Sequence, residues 1–270
     1  MSPGETWSER HARADEVMGR FVPGVDTGRM AASMVRRHGA LGSYAFDAVG
    51  HMWSRPELSR RDRSLFVISV LAAQARGEEL ELHTTIGLRH GLTRVEIEEI
   101  LLHVAAYAGF PAAMASNRVV DAALRAAEGV DRLEGRAPAD RKDDDERDRD
   151  AAAVMAAMLG REEGPPLDAL VGPLGGVGEV AYRWAFGEIW CRPQLSRRDR
   201  SIVVIAILTW LGATEELGFH VPAGLRHGLT RVEIEEVLTH LSLYAGLPRA
   251  IGAMRAARSA FARLDAPPAV

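Results

Sequence analysis

The sequence predicts an all-α protein built from two tandem copies of one helical unit. Residues 87–99 and 224–236 are the same thirteen residues, GLRHGLTRVEIEE. Trp53 and Trp190, Ser59 and Ser196, His83 and His220, and Tyr107 and Tyr244 also match, all at one offset of 137 (190 − 53) with no gap between them. A period that long marks tandem domains rather than a solenoid of short repeats. Within each copy apolar residues recur at three- and four-residue spacing, and no segment alternates apolar and polar residues as a half-buried strand would.

Each element follows in order. Val17-Met18 and Val154-Met155 keep the offset of 137, so the match reaches back to an early helix in each copy. Ser59 with Asp62, and Ser196 with Asp199, read as N-caps that open long apolar helices over 60–75 and 197–212. Shorter helices follow over 78–89 and 215–226, and Gly91 and Gly228 suit the left-handed position just past a helix end. Thr93-x-x-Glu96 and Thr230-x-x-Glu233 then form capping boxes. The repeated stretch is therefore a corner that stops one helix and starts the next. Those next helices run to Tyr107-Ala-Gly109 and Tyr244-Ala-Gly246, and Pro111 and Pro248 fall in the first turn of a last helix. The repeats set a first domain over 1–130, a charged linker over 131–147 that is nearly devoid of apolar residues, and a second domain over 148–270.

The chain has 270 residues, 47% hydrophobic and 26% charged, with a net charge of −4 and a pI near 6.2. That balance gives no sign of a nucleic-acid partner. The longest apolar runs, 65–73 and 202–213, are too short for the roughly 20 residues that span a bilayer. The first residues mix acids and bases without an apolar core, so no secretory signal is visible, and the expectation is a cytoplasmic protein with no membrane partner. Cys191 is the only cysteine, which excludes an intramolecular disulfide, a CxxC redox pair and a cysteine-rich zinc site.

Several side chains have the chemistry of a site. Glu79 and His83, like Glu216 and His220, are four residues apart, so on a helix they share a face and can hydrogen-bond. Such a pair orients an imidazole and raises its pKa, as suits a general acid, although the same spacing also describes an ordinary surface ion pair. His103 and Tyr107, mirrored by His240 and Tyr244, have the same spacing on a mostly apolar helix, where core packing is the competing reading. His90 and His227 sit at the corner, where a cation favours the helix C-terminus, and read as structural. Arg63 and Arg200 lie in a first helical turn, where the dipole disfavours cations, so a carboxylate partner is expected. Glu79, His83 and His103 have ligand types that suit zinc but not the tight spacing of a zinc motif, so no metal is expected.

In order, RPxLSRRDRS, the apolar helix, EELxxH, the GLTRxEIEE corner and HxxxYAGxP resemble the carboxymuconolactone decarboxylase family over about 60 residues of each copy, and FGEIWCRPQL (186–195) is similar to the decarboxylases themselves. The resemblance implies a helical fold of the alkylhydroperoxidase D type and a homo-oligomer, a trimer for a duplicated chain. The redox branch of that family uses a CxxC pair. At its cysteine positions this chain has Arg76 and Glu79, then Ala213 and Glu216, and at its glutamate position Ser64 and Ser201. Of that branch's residues only His83 and His220 remain, so thiol peroxidase chemistry is not expected.

The decarboxylase branch implies a cofactor-independent lyase acting on a small carboxylated lactone or a related unsaturated keto acid. The residues this implies are Glu79, His83, Glu216 and His220 as catalytic, with Arg63, His103, Tyr107, Arg200, His240 and Tyr244 binding substrate. Another acid/base enzyme of the same fold (an isomerase or retro-aldol lyase) and a non-catalytic ligand-binding helical oligomer are the other readings. The copies differ around the shared motifs: Glu81 faces Gly218, Thr84-Thr85 faces Val221-Pro222, and Ser54 faces Cys191. Either two substrates, or one working site and one structural copy, would account for that.

Overall fold

A computed structural model describes residues 5–136 and 138–266, and among these there are helices and no strands. In chain order they are α1 (Trp7–Phe21), α2 (Thr27–His38), α3 (Ala40–Trp53), α4 (Arg60–Ala73), α5 (Gly77–Arg89), α6 (Arg94–Tyr107), α7 (Phe110–Glu128), α8 (Asp144–Leu159), α9 (Asp168–Leu174), α10 (Gly176–Val180), a π-helix (Ala181–Trp190), α11 (Arg197–Leu211), α12 (Thr214–Arg226), α13 (Arg231–His240), α14 (Ser242–Ala245) and α15 (Leu247–Asp265). No described helix is long and apolar enough to cross a membrane.

The caps read from the sequence are present. Ser59 and Ser196 accept the backbone N–H groups of Asp62 and Asp199. Thr93 and Thr230 close reciprocal capping boxes with Glu96 and Glu233. Gly91 and Gly228 have φ of 96° and 99°. Around them Leu92 N–H reaches Gly87 O at 2.9 Å and Leu229 N–H reaches Gly224 O at 3.0 Å, the Schellman closure that satisfies carbonyls left open at a helix end. The thirteen-residue corner thus adopts one geometry twice, because each of its turn and cap positions is chemically determined.

By compactness the chain divides between Arg63 and Ser64. In the first unit α1 packs along α3. Gly50 permits this approach, since a Cβ there would lie 2.3 Å from Ala14 Cα. Phe21 and Trp53 meet edge to face at 4.7 Å and close the unit's apolar centre. The second unit repeats that device, with α8 against the π-helix and a Cβ on Gly187 falling 2.5 Å from Arg147 O. Its core is α11, whose residues 199–209 are all buried, with α12 and α15 packed around it.

The division differs from the repeat boundaries drawn at 130 and 148. Helix α6 of the first repeat packs on α11 and on the π-helix of the second, so the second unit contains helices of both repeats. The linker 131–147 is also more ordered than its composition implies. Leu133 is buried, Arg136 pairs with Glu98 at 3.2 Å, and Lys142 pairs with Asp150 at 2.6 Å. Its last residues, from Asp144, already form the first turn of α8 behind an Asp143 cap.

Candidate active site

Helix α6 carries His103 and Tyr107 on the face that meets the second repeat. His103 is fully buried. Trp190, the last residue of the π-helix, donates its indole N–H to Tyr107 Oη at 2.8 Å. Tyr107 Oη in turn lies 3.4 Å from His220 Nε2, at the long end of hydrogen-bonding range. Indole nitrogen can only donate, so Tyr107 accepts from Trp190, and its own O–H remains available to donate to the Nε2 lone pair of a His220 ring that carries its hydrogen on Nδ1. His220 Nδ1 is buried and has no hydrogen-bond partner among the described residues. The rings form one cluster: Trp190 stacks on His220 at 5.8 Å and meets His103 edge-on at 5.1 Å.

Burial drives the electrostatics. It lowers the His220 pKa to about 3, assisted by His227, and holds His103 well below the usual histidine range, with Arg200 and His220 adding to the effect. The Tyr107 hydroxyl is pushed well above its ordinary value by desolvation, which the Trp190 hydrogen bond partly opposes. At neutral pH the cluster therefore holds neutral imidazoles and a neutral phenol. Such groups donate hydrogen bonds and relay protons without storing charge.

A second cluster is related to the first by the repeat. His83 meets Tyr244 edge-on at 5.6 Å, and Tyr244 stacks on His240 at 5.8 Å. The ring of Phe66 sits against His240 at 5.1 Å. Burial lowers His83 to about 4. The helix that carries His240 and Tyr244 is interrupted at Leu241, whereas α6 runs unbroken through His103 and Tyr107.

The motifs therefore cross. The tyrosine of each HxxxY helix faces the EELxxH histidine of the other repeat, so the corner does not aim the two motifs of one copy at each other. Glu79 is turned outward, exposed and 3.5 Å from Arg76, and Glu216 is exposed on α12. Neither acts as an orienting carboxylate, and both histidines are shifted down by burial rather than up by a carboxylate. Glu79, His83 and His103 are not assembled as a ligand set, since His83 and His103 belong to different clusters.

Arg200 is fully buried, and protein acceptors occupy most of its guanidinium. Its Nε donates to Leu195 O at 3.1 Å, Nη2 to Arg192 O at 2.8 Å and to Glu99 at 2.9 Å, and Nη1 to His103 Nε2 at 2.9 Å. Arg63 is likewise fully buried and donates to Arg55 O at 2.7 Å. These arginines are built into the protein rather than held out toward a ligand. His90 and His227 lie 2.8 Å from the hydroxyls of Ser64 and Ser201, and burial lowers both, His227 to about 4. They tie the corner to the preceding helix as neutral rings, not as cationic caps.

Trp190, Glu99 and Arg192 were not singled out by their chemistry in the sequence. Glu99 is the last residue of the repeated corner and Trp190 is matched by Trp53, so repetition was the available signal.

The model of the family described as "Carboxymuconolactone decarboxylase family" matches residues 42–122 and 177–259, well over half the chain and both clusters. A 4-carboxymuconolactone decarboxylase of Acinetobacter baylyi is 45% identical over 86 residues, covering 32% of this chain and 64% of that protein. A nitrosuccinic acid decarboxylase of Metarhizium robertsii is 37% identical over 76 residues, covering 28% of this chain and 53% of that protein. The chain thus spans less than two thirds of the length of either relative. With the family model matched twice, once in each repeat, the chain belongs to the carboxymuconolactone decarboxylase family.

Proposed function

We propose that this chain is a cofactor-independent decarboxylase of a small carboxylated lactone or a related unsaturated keto acid, working at the cluster centred on His220. The observation that carries the reading is the partly buried line of hydrogen-bonding groups from Trp190 through Tyr107 to His220. Both relatives are named as decarboxylases of small acids, which supports the reaction class. Without a thiol pair, the chain has no means of running the family's disulfide chemistry.

The bond from the substrate carbon to its carboxylate breaks, carbon dioxide leaves, and the electron pair passes through the unsaturated system onto a carbonyl oxygen. A dry, preorganised site favours this step because charge spreads out as the bond breaks. The carbon then takes a proton from His220 Nδ1–H while Tyr107 O–H delivers one to Nε2 and the Trp190 N–H steadies the phenolate. Water finally returns a proton to Tyr107, and the hydroxide left behind takes up the released carbon dioxide as bicarbonate, so the net change is carboxylate plus water to the protonated carbon plus bicarbonate. An imidazole that relays in this way remains neutral throughout, consistent with its low pKa.

The test is to incubate the purified protein with 4-carboxymuconolactone and a panel of unsaturated lactone acids, following carbon dioxide release and loss of substrate absorbance. Turnover of at least one substrate, accelerated far above the uncatalysed rate and lost in His220→Ala, is expected. No carbon dioxide from any member of the panel would contradict the proposal.

A further inference from the structure

Glu99 closes the repeated corner sequence and sits on α6, one turn before His103, with its side chain almost fully buried. Its Oε1 accepts Arg192 Nε at 2.8 Å and its Oε2 accepts Arg200 Nη2 at 2.9 Å. Arg192 is held in place from the linker, where Pro138 O accepts its Nη1 at 3.3 Å. Three charges removed from water make a poor stability device, because well-packed apolar residues often do as well in such a place. The cluster therefore invites a role beyond stability.

The geometry leads to that role. Arg200 Nη1 lies 2.9 Å from His103 Nε2. A guanidinium has only hydrogens to offer, so Nε2 must be the lone-pair nitrogen of His103 and the ring hydrogen must sit on Nδ1. His103 Nδ1 is buried and has no hydrogen-bond partner among the described residues. It belongs to the ring cluster of Trp190, Tyr107 and His220.

We propose that Glu99, with Arg192 and Arg200, is a positioning group that locks His103 as an Nδ1–H donor for the anionic oxygen of the bound substrate. Glu99 fixes the plane of the Arg200 guanidinium, and Arg200 fixes the tautomer and orientation of the imidazole. Two guanidinium groups on one carboxylate leave the cluster with excess positive charge, which polarises the Nδ1–H bond outward. Arg200 thus acts on substrate through His103 and does not itself grip a carboxylate. The inference rests on the His220-centred reading above for the identity of the substrate, but the His103 tautomer is a property of the free protein.

The experiment is long-range 1H–15N correlation on histidine-labelled protein, with His103 assigned by its absence in His103→Gln. Between pH 6 and 8 His103 should appear as a neutral Nδ1–H tautomer. In Glu99→Gln, and independently in Arg200→Lys, which keeps the charge but loses the fork, the signal should move toward a mixture of tautomers. With 4-carboxymuconolactone the same variants should lose 10- to 100-fold in kcat with KM changed less than about threefold, and the His220 signal should stay in place. If one variant fails to fold by circular dichroism, the other decides. An Nε2–H tautomer in the native protein, or a folded variant in which the tautomer and kcat are both unchanged, overturns the proposal. Absence of turnover by the native protein, with the tautomer as expected, would strike the substrate reading alone.

Discussion

The His220 cluster and the His83 cluster are assembled from identical motifs and yet are not the same place. At His220 the HxxxY helix is continuous through His103 and Tyr107. At His83 the corresponding helix breaks at Leu241, between the histidine and the tyrosine, and Phe66 presses on the His240 ring. The position matching Phe66 in the second repeat is Val203, a smaller residue that is also buried. Duplicated motifs preserve a scaffold, while the residues between them decide what the scaffold can hold.

The largest expected difference is in turnover. His220→Ala should cut kcat/KM on 4-carboxymuconolactone by about 1000-fold or more, the scale typical of losing a proton-transfer group together with its partners. His83→Ala should cost less than about tenfold, chiefly through packing. Equal losses would make the two clusters functional equivalents.

Stability should treat the two clusters alike, because both histidines are buried neutral. In the unfolded chain each histidine takes up a proton below about pH 6.5. In the folded protein His83 does so only near 4 and His220 only near 3, and His103 is lowered as well. Between those limits the unfolded state binds more protons, so stability falls as pH drops from about 6.5 and is unaffected by these groups above it. Urea unfolding at pH 5.5 against pH 8 should show a loss on the order of 1 kcal/mol for each of His83 and His220, with His103 contributing in the same direction. His83→Gln and His220→Gln should each remove a similar share of that slope. A flat profile through this window would mean that the rings are hydrated and the site is not dry.

Much of the fold was legible in the sequence because its signals are local. A serine cap, a glycine at positive φ and a Thr-x-x-Glu box each act over a few residues, and all occur in both copies where the chain requires them. The site was legible only in its residue types. His83, His103, Tyr107, His220, His240 and Tyr244 do fall in aromatic clusters, but sequence identity between repeats carries no information about which copy faces which. The spacing that suggested Glu79–His83 and Glu216–His220 pairs describes one face of an isolated helix. In the folded chain that face is divided, with the histidines turned into the core and the glutamates left in solvent. Glu99 was hidden for the opposite reason: a carboxylate in a charged corner reads as solvated until the arginines that bury it arrive from the second repeat. The π-helix leading to Trp190 has no apolar period that would distinguish it from its α-helical counterpart α3.

A double-mutant cycle can read the crossing of the motifs from kinetics. Tyr107→Phe, His220→Ala and their double variant should be strongly non-additive in kcat/KM, since the second change removes little once the shared relay is broken. Tyr107→Phe combined with His83→Ala should be additive within about 0.5 kcal/mol, because those residues belong to different clusters. Strong coupling of Tyr107 to His83, with additivity toward His220, would show that each repeat keeps its own site and that the motifs do not cross.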